Sequence, residues 1–195
     1  MTASINSLHE NMPKHIEDVY KKAICLVTEQ EIYQALDKMA EAMTERLANS
    51  NPIFLAVVNG AMIPIGHLLL RLAFPLQLDY IHATRYQGAT VGKELRWKAK
   101  PSLALQGRTV VIVDDILDGG STFEGLVDYV KSQDAEQVYT VAIIDKKRVR
   151  EPGGLEKADF IGIEIEDYYV FGFGLDYKEY LRNVPGIYRV ADEHL

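Results

Sequence analysis

Three stretches of this chain are apolar almost without interruption: Ile53 to Val58, Thr109 to Val113 and Val138 to Ile144. A strand with one wet face alternates apolar and polar side chains, whereas a strand covered on both faces reads as a continuous, β-branched run. Layers are therefore needed on both sides, and the segments between the runs supply them. Thr28 and Glu31 form a capping-box pattern. Behind them Ile32, Leu36, Met39, Met43 and Leu47 recur at helical spacing, until Asn51 and Pro52 stop the helix. A second helix is expected from the Asn59-Gly60 turn through Leu70, and a third over Ser121 to Ser132. Strand and helix alternate, which implies an α/β fold with a central, mainly parallel sheet flanked by helices and right-handed crossovers.

The rest of the chain is less regular. An amphipathic helix (His15, Ile16, Val19, Tyr20) and a short ICLV strand come first. Leu76 to Ala83 reads as a strand, and Thr84 to Lys100 as a long loop with some hairpin character. Phe160 to Ile163 and Tyr169 to Phe171 are strand-like, and a tyrosine-rich tail follows. No linker composition divides the 195 residues, so a single domain over 1–195 is expected. Its N-terminal segment and residues from about 160 to 195 would form a small lobe over the strand ends.

A net charge of −7 argues against a nucleic-acid partner, which normally needs a basic face. An anion would have to be held by local devices instead. Cys25 is the single cysteine, which excludes an intramolecular disulfide, and it reads as a small apolar strand residue. The apolar run from Ala61 to Leu70 is broken by Pro64, Gly66 and His67, too short for a membrane span. The first residues lack the order of a signal peptide, so a cytoplasmic location is expected.

After the strand TVVIV come Asp114 and Asp115, then Ile116 and Leu117, then Asp118, Gly119, Gly120, Ser121 and Thr122, and then a helix. In an open parallel sheet ligands bind beyond the carboxyl ends of the strands. Glycines let the backbone curl around a phosphate, and a helix N-terminus supplies unpaired N–H groups. Neither G-x-x-x-x-G-K-[ST] nor G-x-G-x-x-G is present, so a P-loop and a dinucleotide fold are not supported. An acidic pair with a phosphate loop suits a ribose phosphate, although the same residues also serve as ordinary turn and cap chemistry.

VVIVDDILDGGST resembles the phosphoribosyl-pyrophosphate signature of type I phosphoribosyltransferases. AVVNGAMIPIGHLL, HATRYQG, AIIDKK and DFIGIEIEDYYVFGFGLDYKEYLRNVPGI resemble, in order, further segments of the hypoxanthine-guanine members of that family. The resemblance implies the type I phosphoribosyltransferase fold with a hood lobe. It implies transfer of a phosphoribosyl group from phosphoribosyl pyrophosphate to a 6-oxopurine, with Mg2+, by a homodimer or homotetramer.

By the same resemblance, Asp114 and Asp115 hold the ribose hydroxyls, directly or through the metal, and Gly119, Gly120, Ser121 and Thr122 cradle the 5-phosphate. Asp118 handles a proton of the purine imidazole. Lys146 donates to the 6-oxo group; an ammonium has no acceptor, so adenine would meet it donor against donor. Tyr169 stacks on the base and Val170 reads it through its backbone. Asp176 stands near the base and a second metal ion. Arg182 binds pyrophosphate, as does the turn at Asn59 and Gly60, which in relatives can carry a cis bond after Val58. Arg85 and Tyr86 belong to a mobile lid. Gly119 departs from the threonine of many relatives, and Asn59 and Arg85 from the lysine and serine of some. Arg148 and Arg150 receive no role, Lys147 and Arg148 read as a solvated turn, and Tyr177 and Tyr180 as core. The rivals are a xanthine-preferring enzyme and, in another class, a nucleotide-sensing regulator of this fold.

Overall fold

The structure, a computed structural model, describes residues 12–85 and 95–195. In chain order these form α1 (Lys14–Lys22), β1 (Ile24–Val27), α2 (Glu29–Leu47), β2 (Ile53–Val57), α3 (Met62–Leu69), β3 (Gln77–Arg85) and β4 (Leu95–Ala99). There follow β5 (Thr109–Leu117), α4 (Ser121–Ser132), β6 (Gln137–Lys147), β7 (Phe160–Glu166), β8 (Val170–Phe171) and β9 (Ile187–Arg189).

The large sheet has six strands in the order β4-β3-β2-β5-β6-β7. Every neighbouring pair is parallel except β3 with β4. The pleat splits each apolar run between two cores. Ile53, Leu55, Val57, Val110 and Ile112 face Phe123, Leu126 and Val130 of α4. Phe54, Ala56, Val111 and Val113 face Ile32, Leu36 and Met43 of α2 and Ile65 and Leu68 of α3. Each fully buried side chain of this size contributes roughly 1.5–3 kcal/mol. The Thr28 capping box fixes the start of α2, with both reciprocal hydrogen bonds present.

A second, three-stranded antiparallel sheet has the order β1-β9-β8. Beneath it Ile16, Val19 and Tyr20 of α1 pack on Phe171, Tyr177, Leu181 and Val184 of the tail. β7 belongs to the large sheet, so the second sheet draws on the tail only from Val170 onward.

Several expectations need correction. The segment expected as a loop over Thr84 to Lys100 contains β4, whose Leu95 and Trp97 pair with Arg85 and Ala83 of β3. Trp97 and Leu95 pack against the core under α4, which makes a strand of a weakly periodic stretch. β5 runs to Leu117 because its ladder with β6 continues through Leu117 opposite Asp145, and β6 runs to Lys147 because its ladder with β7 continues through Lys146 opposite Ile165 and Lys147 opposite Glu166. The acidic pair therefore lies in a strand, where ladder pairing overrides the poor strand propensity of aspartate. Tyr177 is core, but Tyr180 is exposed. Cys25 lies in β1 and is exposed. No helix among the described residues is long and apolar enough to cross a membrane.

Candidate active site

β2 pairs with both β3 and β5. The chain leaves β2 through α3 on one face of the sheet and leaves β5 through α4 on the other. The carboxyl ends of β2 and β5 are thus the topological switch point, where an open α/β sheet forms its ligand crevice. The turn after β2, the loop after β5 and the end of β6 bring the expected residues to this one edge.

Asp114 is buried, and its Oδ1 accepts the Asp115 N–H at 2.9 Å. Burial, reinforced by the charge of Asp115, pushes the Asp114 carboxyl well above the ordinary carboxylate range. Burial also raises Asp115, against the opposing effects of its hydrogen bond with Asp114 and of the Arg182 charge. Asp115 reaches across to the β2 turn: a Cβ on Gly60 would collide with its carboxylate. Only glycine leaves that approach open. The Val58–Asn59 peptide in this turn is cis.

Two adjacent, destabilised carboxylates are a donor set that suits a divalent cation. No three His, Cys, Asp or Glu side chains gather into a metal site among the described residues. Mg2+ commonly takes one or two carboxylates and completes its shell with water and substrate phosphates, so the pair fits that ion. Asp176 is not part of such a cluster. Its Oδ1 pairs with Arg182 Nη2 at 2.7 Å, and its Oδ2 accepts the Glu179 N–H at 2.8 Å. Arg182 Nη1 donates to the Gly174 carbonyl at 2.8 Å, and Gly174 packs closely on the Gly60 carbonyl. Arg182 and Asp176 are thereby tied beside the Asn59-Gly60 turn.

The loop after β5 opens α4. Gly120 is its N-cap residue, at φ 82°, with no side-chain cap. Asp118 therefore is not a capping residue, and its carboxylate faces the end of β6. Lys146 is buried, and its Nζ lies 3.5 Å from Asp118 Oδ2 and 3.5 Å from Asp167 Oδ1. Arg148 Nη1 donates to Asp118 Oδ1 at 2.9 Å, and its Nε lies 3.8 Å from Asp167. Lys147 is exposed but ends β6 rather than lying in a turn, with its Nζ 3.5 Å from Glu166 Oε1, and Arg148 is not a bystander. It and Asp167 close a four-member ion network that the sequence pattern did not reveal. Only the basic run from Lys146 to Arg150 hinted at it.

Glu151 is the other residue missed. Its Oε2 accepts the Ser121 hydroxyl at 2.7 Å, and a Cβ on Gly119 would lie 2.6 Å from its Oε1. The Glu151 N–H donates to the Gly119 carbonyl at 2.9 Å and the Leu155 N–H to the Gly120 carbonyl at 3.0 Å. A strap at 151–155 thus lies on the glycine loop, and Gly119 is small because Glu151 occupies the space a side chain would need. Thr122 lies in the first turn of α4.

Tyr169 keeps 41% of its surface exposed, with its ring 5.7 Å from that of Tyr177. Val170 is buried and pairs with Arg189. Arg85 ends β3, and Tyr86 with the rest of the expected lid lies outside the described residues.

Residues 26–179 match the model of the phosphoribosyl transferase domain. This chain belongs to the phosphoribosyltransferase family. A hypoxanthine-guanine phosphoribosyltransferase of Bacillus subtilis (strain 168) is 30% identical over 83% of this chain and 89% of the relative, which sets the chain in that branch. The bifunctional protein TilS/HprT of Listeria innocua is 31% identical over 92% of this chain, which spans only 26% of that longer protein. Among solved structures, a hypoxanthine phosphoribosyltransferase of Staphylococcus aureus superposes with a TM-score of 0.84. That match covers 93% of this phosphoribosyltransferase and 97% of the neighbour at 24% identity, a likeness of fold.

Proposed function

We propose that this phosphoribosyltransferase acts in purine salvage in the cytoplasm, joining hypoxanthine or guanine to the phosphoribosyl group of phosphoribosyl pyrophosphate to give IMP or GMP and pyrophosphate. One observation carries this reading: a carboxylate and a buried ammonium, Asp118 and Lys146, lie 3.5 Å apart at the switch point, beside a glycine loop and an acidic pair. Such a pair can accept a proton from one atom of a planar heterocycle and donate to another. A 6-oxopurine offers both, an imidazole nitrogen and an exocyclic oxygen.

In this scheme a purine nitrogen forms a bond to C1′ of the ribose as the bond from C1′ to the pyrophosphate oxygen breaks. Asp118 takes the proton released from the purine imidazole. Lys146 hydrogen-bonds the 6-oxo group, and Asp167 and Arg148 hold the ammonium and the carboxylate in register. Gly119, Gly120, Ser121 and Thr122 receive the 5-phosphate at the N-terminus of α4, where Ser121 must exchange Glu151 for the phosphate. Asn59, Gly60 and Arg182 take the pyrophosphate. Asp114 and Asp115 hold Mg2+ or the ribose hydroxyls, and the bound ion would offset negative charge on the pyrophosphate. Asp176 anchors Arg182 and would stand near the base and a second metal ion, its charge already felt at Asp115. The exposed ring of Tyr169 covers a face of the base, with the Val170 backbone at its edge.

We also read α1 with β1, β8 and β9 as a small hood lobe on a single domain. The assembly is read as a homodimer or homotetramer, for which exposed Met62, Leu70, Leu78 and Tyr80 leave apolar surface to cover. Turnover of hypoxanthine, guanine, xanthine and adenine with phosphoribosyl pyrophosphate and Mg2+ tests the substrate assignment. Turnover of the 6-oxopurines with adenine excluded is the expected result, and turnover of adenine alone or of none of the four would reject it.

A further inference from the structure

Asp118 follows the last residue of β5, and Lys146 lies one residue past the point in β6 where the pairing between β5 and β6 stops. The last paired position of β5 and β6 is Leu117 opposite Asp145. Beyond it the carbonyls of Leu117 and Asp118 face that of Lys146, which also accepts the Arg148 N–H at 2.9 Å, with no further pairing of β5 and β6 between them. The guanidinium of Arg150 fills the gap. Its Nη1 donates to the Asp118 carbonyl at 2.7 Å, the Lys146 carbonyl at 2.9 Å and the Leu117 carbonyl at 3.3 Å. Its Nη2 is paired with the Asp145 carboxylate, and its Nε donates to the Glu156 carbonyl at 3.2 Å. The Arg150 and Asp145 side chains keep only 7% and 11% of their surface.

The pair is therefore a rigid, desolvated unit whose planar fork continues the sheet's hydrogen bonding for one more step. A buried arginine needs such a full set of acceptors, and every partner here is a main-chain carbonyl or Asp145. The side chains of Asp118 and Lys146 are held by ion pairs at 2.9 to 3.8 Å with each other, Arg148 and Asp167, while the Lys146 main chain is also paired with Ile165 of β7. Those ion pairs must loosen when a base enters, whereas the Arg150 contacts go to main-chain carbonyls and the buried Asp145 carboxylate and need not.

We propose that Arg150 is a positioning residue for the transfer reaction, setting the separation of Asp118 and Lys146 by clamping both of their carbonyls. The inference rests on the reading that these two side chains address the same purine. A base bridging them feels any splay of the strand ends directly, while Asp114 lies further back, paired with Ala142 inside the β5–β6 ladder. Lysine at position 150 could keep the charge beside Asp145, but its point-like ammonium cannot span three carbonyls.

The test uses the full chain carrying Arg150→Lys or Arg150→Ala, with kcat and KM measured for each substrate on the folded fraction. Both variants are expected to lose about 100-fold in kcat/KM for the purine, the usual cost of a small misplacement of reacting groups. KM for phosphoribosyl pyrophosphate should rise far less than KM for the purine, and millimolar guanidinium, but not ammonium, should restore part of the activity of Arg150→Ala. Wild-type kinetics in the folded fraction of either variant would overturn the proposal. So would an equal loss for both substrates with no guanidinium rescue, since that is what general destabilisation produces. If Arg150→Ala does not fold, Arg150→Lys, with its partner Asp145 intact, decides. Amide exchange provides a readout independent of turnover: it should rise in the variants at the last paired positions of β5 and β6, Ile116, Leu117, Ile144 and Asp145, and not elsewhere in the large sheet. Unchanged exchange at these four overturns the clamp, whereas a wild-type enzyme inactive on every purine rejects the substrate assignment and leaves the clamp to the exchange result.

Discussion

Glu151 supplies the sharpest quantitative expectation, because it lies where the substrate's 5-phosphate is placed in the proposed site. Its carboxylate holds the Ser121 hydroxyl at 2.7 Å and crowds Gly119. A phosphate at the start of α4 needs the same hydroxyl, so the carboxylate has to turn away before the phosphate can settle. A hydrogen bond to a charged group is worth ~1.5–3 kcal/mol, but Ser121 recovers most of it by turning to the phosphate. The remaining cost is repulsion between two anions. At a separation of ~6 Å this is about 0.7 kcal/mol in water and about 3 kcal/mol at an effective dielectric near 20. Glu151 is half-buried, so a value of roughly 1–2 kcal/mol is expected, equivalent to about 5- to 30-fold in affinity. Glu151→Gln keeps the shape and an acceptor for Ser121 while removing the charge. Titration calorimetry with phosphoribosyl pyrophosphate should show tighter binding by that factor, and the gain should shrink as salt is raised. An unchanged or weakened affinity, or a gain indifferent to salt, would refute the assignment of this loop to the phosphate.

Asp118→Asn should lower kcat by about 100-fold or more while leaving phosphoribosyl pyrophosphate binding intact; undiminished turnover would remove Asp118 from the proton transfer. Lys146→Gln offers an acceptor as well as donors, so adenine should become a usable substrate as discrimination falls by ~1–3 kcal/mol, read from the ratio of kcat/KM values. Gly60→Ala places a methyl group against the Asp115 carboxylate. It should raise KM for phosphoribosyl pyrophosphate and weaken Mg2+ dependence, with product-release kinetics as the check. Phe54→Ala empties a fully buried position between the sheet and α2, and should cost about 3–5 kcal/mol in denaturant unfolding without altering either KM.

The amino-acid sequence by itself determined the layers of this protein. Continuous apolar runs at β2, β5 and β6 can be satisfied only by helices on both faces, and the pleat then divides each run between the two cores. The Thr28 cap, the Asn51-Pro52 stop and the glycine loop before α4 are local chemistry, and local chemistry is legible in order along the chain. What only the tertiary structure decided is where strands end and what meets across their ends. β5 extends through its acidic pair because β6 provides the hydrogen bonds, and β6 extends through its lysines because β7 does, pairings between residues about 28 and about 19 positions apart that no local propensity encodes. Arg148, Arg150, Glu151 and Asp167 look in sequence like an ordinary charged turn. In space they hold Asp118, the carbonyls of Asp118 and Lys146, the Ser121 hydroxyl and the Lys146 ammonium. The sequence displays charges one after another, and the fold selects which of them lose water and must therefore find one another.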